Sequence, residues 1–167
     1  MPMIQKSLAF SADYLERSKI KAKVLVGLQF SLIAILAIVP IADPIWQSSA
    51  ARNLAIAMYF LAILIFAFAA QALQPSLRIN PIPKPGAPLI TNGIYKYVRH
   101  PMYLAVMIIA TGLLIQKIHP LSLIIWLALG TNMSLKARYE DSLLRQRHSN
   151  ASQYQSKTPD LLGDHLE

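Results

Sequence analysis

Four stretches of this chain carry no charged residue: Val24 to Ala42, Asn53 to Leu77, His100 to Gln116, and Ile118 to Leu135. A helix needs about 20 apolar residues to cross the ~30 Å hydrocarbon core of a bilayer, and the first two stretches are long enough. The third and fourth are shorter; at roughly 1.5 Å per residue they fill that core only if Arg99, Lys117 and Lys136 snorkel to its edges. His119 and Pro120 interrupt the apolar run between them, which predicts a tight helical hairpin there. Composition agrees, with 54% of the 167 residues hydrophobic, 14% charged and a mean hydropathy of +0.41, a balance foreign to a soluble domain of this size. The expected fold is an all-α integral membrane protein with about four transmembrane helices.

The basic residues supply an orientation. Lys6, Arg17, Lys19, Lys21 and Lys23 precede the first span, Arg52 alone lies in the first loop and Lys117 alone in the third. The others fall in the second loop or the tail, so four spans with both termini in the cytoplasm satisfy the positive-inside rule. A formal net charge of +8 would point to nucleic acid in a soluble protein, but this placement favours anionic lipid headgroups and no nucleic acid. The chain has no cysteine, which excludes disulfides and thiolate chemistry, and its four histidines show no metal-ligand spacing.

The 23 residues before the first apolar run include Asp13 and Glu16, and no small-x-small cleavage site follows promptly, so an uncleaved anchor is expected rather than a signal peptide. For Met1 to Lys23 two readings stand open, an interfacial helix carrying Ile4, Leu8, Tyr14 and Leu15, or disorder. Two segments are expected: residues 1–74 with two spans, and residues 75–167 with a helical hairpin and a cytoplasmic tail. Pro75, Pro81, Pro83, Pro85 and Pro88 crowd the start of the second segment and bar a continuous helix or sheet. That loop ends at Thr91-Asn92-Gly93, a turn signal in which Gly93 can take positive φ.

Two polar clusters could carry chemistry. The first runs from Gly93 to Tyr103 and holds Tyr95, Lys96, Tyr97, Arg99, His100, Pro101 and Tyr103. Pro101 suits the first position of a helix, whose free amides beside Arg99 would make an anion site; the competing reading is a simple interfacial belt. The second cluster is Lys136, Arg138, Glu140, Asp141, Arg145 and Arg147, and outside it the chain has only six acidic residues. Its competing reading is a solvated helix end with an ordinary Lys136–Glu140 pair at i, i+4. The expected topology puts Tyr95 to Tyr103 and Glu140-Asp141 in one cytoplasmic layer.

Leu89 to Tyr95, then Arg99-His100-Pro101-Met102-Tyr103, Arg138-Tyr139-Glu140-Asp141-Ser142-Leu143-Leu144, and the tail Tyr154 to Leu162 resemble the isoprenylcysteine carboxyl methyltransferase and phospholipid methyltransferase superfamily. Its pattern is Gly-x-Tyr, Arg-His-Pro-x-Tyr and Glu-Glu before leucines. Asp141 stands where a second glutamate is usual and Ala105 where a glycine commonly follows; His148 and Ala151 replace a glycine and a tyrosine. The resemblance implies S-adenosylmethionine as methyl donor, a lipophilic or membrane-embedded acceptor, and a cytoplasm-facing cofactor site in the C-terminal half. It further implies cofactor contacts from Tyr95, Arg99, His100, Pro101, Tyr103 and Glu140. Arg99 would hold the donor's carboxylate, Glu140 its ammonium or ribose hydroxyls, and Asp141 would support Glu140 or orient the acceptor. Sterol reductases are similar in this region, which makes an NADPH-dependent membrane reductase one alternative and a non-catalytic membrane subunit another. The usual Arg-His-x-Asn-Tyr of those reductases is replaced here by Arg99-His100-Pro101-Met102-Tyr103.

Overall fold

A computed structural model of the chain describes residues 2–38, with side chains from residue 18 onward, together with residues 48–74, 86 and 88–161. Among these residues there are five α-helices, one short 3-10 turn and no strand: α1 (Pro2–Ile38), α2 (Ser49–Leu73), the 3-10 turn Gly93–Lys96, α3 (Pro101–Gln116), α4 (Pro120–Arg147) and α5 (Ala151–Lys157). All-helical architecture follows from long apolar runs with no internal proline, in a solvent that forces backbone groups to be satisfied within each segment.

Helix α1 is 37 residues long and runs without interruption from the basic N-terminal segment into the first apolar stretch. Of the two readings for the segment before Lys23, helix and disorder, residues 2–23 take the helix, and it continues into the apolar stretch without a break. Pro2 occupies the first helical position, where a missing amide costs nothing, and no further proline intervenes before Pro40. The side chains of Ile4, Leu8, Tyr14 and Leu15 lie outside the described residues, as does most of the proline-rich second loop.

Ser18–Ile38 of α1 and Ser49–Leu73 of α2 are long and apolar enough to cross a membrane. Outward-facing Phe60, Ile63, Leu64, Phe66 and Phe68 leave α2 with an apolar surface suited to acyl chains. Ser48 caps α2, its hydroxyl accepting from the Ala51 amide at 3.0 Å. The inner face of α2 presents Ala55, Ala62 and Ala69, all fully buried, and α2 packs chiefly on α3. Small residues let two backbones approach closely, which matters where lipid supplies no hydrophobic drive for association. Gly112 of α3 belongs to the same contact, since a Cβ there would stand 2.6 Å from the ring of Tyr59.

The predicted hairpin is present. Helix α3 ends at Gln116 and α4 begins at Pro120, capped by the His119 ring, which accepts from the Leu121 amide at 3.2 Å. α1 lies antiparallel to α4, and polar side chains from α4 and from the α3–α4 turn stitch it in place at three heights. Lys117 Nζ donates to the Ala37 carbonyl at 2.7 Å, Asn132 Nδ2 to the Leu25 carbonyl at 3.1 Å, and Tyr139 OH to the Ser18 carbonyl at 3.3 Å. Between α1, α3 and α4 the core is Leu36, Ala110, Ile125, Leu129 and Met133. α4 does not stop where its apolar stretch ends: it continues unbroken for 28 residues and carries Glu140 and Asp141 on its last turns.

Candidate functional site

The first polar cluster is shaped by the chain's return to the bundle. Gly93 adopts φ +59°, a conformation that few other residues reach without strain, and turns the chain into the 3-10 turn that buries Tyr95. Pro101 is the first residue of α3, as its fixed φ suggests, and His100 precedes it as N-cap. The Arg99 amide donates to the Pro159 carbonyl at 3.0 Å, so the tail after α5 folds back over this entry point.

The two clusters meet. Asp141 accepts from Arg99 Nη1 at 2.9 Å through Oδ2, and its Oδ1 lies 3.0 Å from His100 Nε2. Tyr103 OH donates to Glu140 Oε2 at 2.9 Å, and His100 Nδ1 stands 3.5 Å from the same oxygen. The rings of His100 and Tyr103 are parallel, with centroids 5.3 Å apart. Tyr95, Arg99, His100, Pro101, Tyr103, Glu140 and Asp141 therefore gather at one end of the bundle. The bonds of Asp141 run to Arg99 and His100 rather than to Glu140.

Burial separates this cluster from an interfacial belt. Arg99 and His100 are 4% and 5% exposed, whereas Tyr97 in the same segment is 72% exposed and behaves as a belt residue does. Lys136 is also no part of a solvated helix end: it is 1% exposed, hydrogen-bonded to Gln29 Oε1, with its ammonium 4.6 Å from the centre of the Tyr103 ring. The Glu140 side chain alone among the central carboxylates is partly open, at 29%, against 6% for Asp141.

Charge follows geometry. Burial alone would lower the pKa of His100, but hydrogen bonds to Asp141 and Glu140, and the charges of both, outweigh it and raise the value to about 9. His100 is thus an imidazolium at neutral pH, with Nε2 bonded to Asp141 and Nδ1 at ion-pair distance from Glu140. Burial, reinforced by Glu140, raises the Tyr95 phenol well above its ordinary value; burial does the same for Tyr154, partly offset by Arg99. Both remain neutral hydroxyls.

The tail closes the site from outside. Tyr154 OH donates to the Tyr95 carbonyl at 2.6 Å, Gln155 Nε2 to the Asp141 carbonyl at 3.1 Å, and Arg145 Nη1 to Gln155 Oε1 at 2.8 Å. Asp160 lies 3.9 Å from Arg99 Nη2. Gln155, Asp160 and Gln29 are site neighbours that sequence reasoning did not single out. The nearest signal was the tail motif itself, which contains Tyr154, Gln155 and Asp160; Gln29 carried only the weak one of a polar residue inside an apolar span.

Beside the cluster, between α3 and α4, lies a cleft of about 550 Å³ bordered by Leu104, Met107, Trp126, Leu127, Leu135 and Arg138. Trp126 is held in its wall by a 3.0 Å bond from Nε1 to Thr111 Oγ1. Leu104 follows Tyr103 directly and Leu161 follows Asp160, so the cleft is lined by sequence neighbours of the polar cluster. Its lining is apolar save for Thr131, Ser134 and Arg138.

The model of the isoprenylcysteine carboxyl methyltransferase (ICMT) family matches residues 53–146, more than half of the chain, from within α2 to the last turn of α4 and including Glu140-Asp141. No curated protein and no solved structure matches the chain.

Proposed function

Because the chain belongs to the isoprenylcysteine carboxyl methyltransferase family, we propose that it is an S-adenosylmethionine-dependent methyltransferase acting on a lipophilic, membrane-held acceptor. The observation that carries the reading is the joining of Arg99-His100-Pro101-Met102-Tyr103 to Glu140-Asp141 by four polar contacts, next to an apolar cleft. A nicotinamide-dependent reductase is not favoured, since the matching family is one of methyltransferases.

The residues present fit the donor. A cation with ammonium and sulfonium centres calls for carboxylates and aromatic faces, and the partly open Glu140 with Tyr103 and Tyr95 supplies both. We assign Glu140 to the ammonium or the ribose hydroxyls, with Tyr95, His100, Pro101 and Tyr103 around it. Arg99, on the entry to α3, is the group for the donor's carboxylate, sharing its guanidinium with Asp141. When bound, the donor supplies a methyl group from a sulfonium, for in-line displacement by the acceptor.

What the chain's own residues do is hold and orient. Asp141 fixes the Arg99 guanidinium and the His100 imidazolium, His100 and Tyr103 together aim the Glu140 carboxylate, and the tail through Tyr154 and Gln155 excludes water from behind. The α3–α4 cleft would receive the acceptor's apolar part from the bilayer, while the donor arrives from the aqueous side. In this reading α3 and α4 complete four spans and both termini face the cytoplasm.

Isothermal calorimetry of the full chain in detergent with S-adenosylhomocysteine tests the assignment. Glu140→Ala should abolish binding, and unchanged affinity in a folded variant would remove Glu140 from the site. A thermal-shift comparison of S-adenosylhomocysteine with NADPH separates the two cofactor classes.

A further inference from the structure

Lys136 has no part in the mechanism above, although it is the largest fully buried side chain among the described residues. An ammonium costs several kcal/mol to take out of water unless it finds close partners. Its partners include Gln29, on α1, and the ring of Tyr103, on α3. Gln29 lies outside the residues 53–146 matched by the family, so α1 brings a polar group of its own to the neighbourhood of the cluster.

Joining helices does not require this charge. α1 is already tied to α4 by neutral donors, Asn132 one turn away from Lys136 and Tyr139 nearer the helix end, each bonded to an α1 carbonyl. A cation at the same interface adds cost unless it acts on something, and what it faces is the ring whose hydroxyl donates to Glu140. The ammonium attracts the ring face, holding the phenol in the rotamer that serves the carboxylate. Gln29 in turn holds the ammonium through its side-chain amide oxygen, brought across from α1.

We propose that α1 is a working part of the cofactor site, with Gln29 positioning the Lys136 ammonium against the Tyr103 ring and so fixing the Tyr103–Glu140 pair. Lys136 and Gln29 are positioning residues, and the inference rests on the reading of Glu140 and Tyr103 as cofactor contacts.

The test uses the full chain in detergent, with Lys136→Met, Gln29→Leu, the double variant and the conservative Gln29→Glu. Three quantities are read: affinity for S-adenosylhomocysteine by calorimetry, the thermal midpoint without ligand, and the 19F resonance of 3-fluorotyrosine at position 103, assigned through Tyr103→Phe. Lys136→Met, which keeps length and removes charge, should weaken affinity about tenfold, the scale of a desolvated cation–π contact, while leaving the midpoint unchanged or raised. Gln29→Leu should move the Tyr103 resonance although it does not touch the ring, and should add nothing in the Lys136→Met background. Gln29→Glu should keep the wild-type affinity.

Full affinity in Lys136→Met or Gln29→Leu would overturn the inference, and so would losses that merely track the thermal midpoint. Failure of the wild type to bind S-adenosylhomocysteine would refute the cofactor reading instead. The fluorine resonance then decides alone: if Gln29→Leu leaves it in place, α1 does not position the ring.

Discussion

Asp141→Asn is the substitution whose cost the structure defines best. The carboxylate stands 2.9 Å from Arg99 Nη1 and 3.0 Å from His100 Nε2, and the three side chains are 6%, 1% and 4% exposed. Asparagine keeps the shape and one acceptor oxygen but removes the charge, leaving a guanidinium and an imidazolium buried with less compensation. Breaking a buried pair from one side costs about 3–5 kcal/mol, because the orphaned charge stays desolvated. At about 2–4 °C per kcal/mol for a chain of this length, the thermal midpoint in detergent should fall by roughly 6–12 °C even at the lower cost. Replacing both partners, as Arg99→Met with Asp141→Leu, should cost less than the two single changes together, since no charge is then stranded. A loss below about 1 kcal/mol for Asp141→Asn, the range of an exposed ion pair, would refute the claim that this contact is buried and coupled.

Three further outcomes follow from particular contacts. His100 has a folded pKa of about 9 against an ordinary 6.5, so its contribution is complete below about pH 6.5 and disappears as pH rises through 9. The thermal midpoint should decline across that window, with His100→Gln flattening the profile; a midpoint that rises from pH 6.5 to 9 contradicts the imidazolium. Gly112→Ala puts a methyl 2.6 Å from a Tyr59 ring carbon and disturbs the 3.0 Å bond from Gln116 Nε2 to Tyr59 OH. It should destabilise by about 1–3 kcal/mol in denaturant titration, and a neutral result would mean that α2 and α3 are not in close contact there. Tyr154→Phe leaves the Tyr95 carbonyl without its donor, at a cost of about 1–3 kcal/mol, and should speed protease cleavage between residues 150 and 158; an unchanged digestion rate would mean that this bond does not hold the tail.

Much of the bundle was legible because its signals are local. Charge-free stretches marked the apolar parts of α1, α2, α3 and α4, Pro101 and Pro120 marked two helix starts, and Gly93 marked the positive-φ turn. Placing Tyr95 to Tyr103 in the same layer as Glu140-Asp141 needed only the order of the spans, and the contacts of Arg99, His100 and Tyr103 with those carboxylates agree with it. What stayed hidden depends on residues far apart in sequence. The periodicity of α4 puts Lys136 within reach of Glu140 and says nothing of Gln29, 107 positions away. Nor does any spacing reveal that the tail returns to bond the Arg99 amide, or that Asp141 answers Arg99 before any ligand does. The unbroken reach of α1 back to Pro2 was obscured by its mixture of charges, which suits an amphipathic surface segment and a continuous helix equally well.

The continuity of α4 has a geometric consequence. The rod that packs against α1 and α3 also presents the acidic pair, with no hinge between the two parts, so the angular setting of Glu140 and Asp141 is inherited from core side chains such as Ile125, Leu129 and Met133. Each residue of an α-helix advances the phase by about 100° and the height by about 1.5 Å. One residue added between Gly130 and Lys136 would therefore swing both carboxylates about a quarter-turn away from Arg99 and His100 while changing their depth very little. Packing of the bundle and alignment of the two carboxylates are, in this molecule, two readings of a single dial.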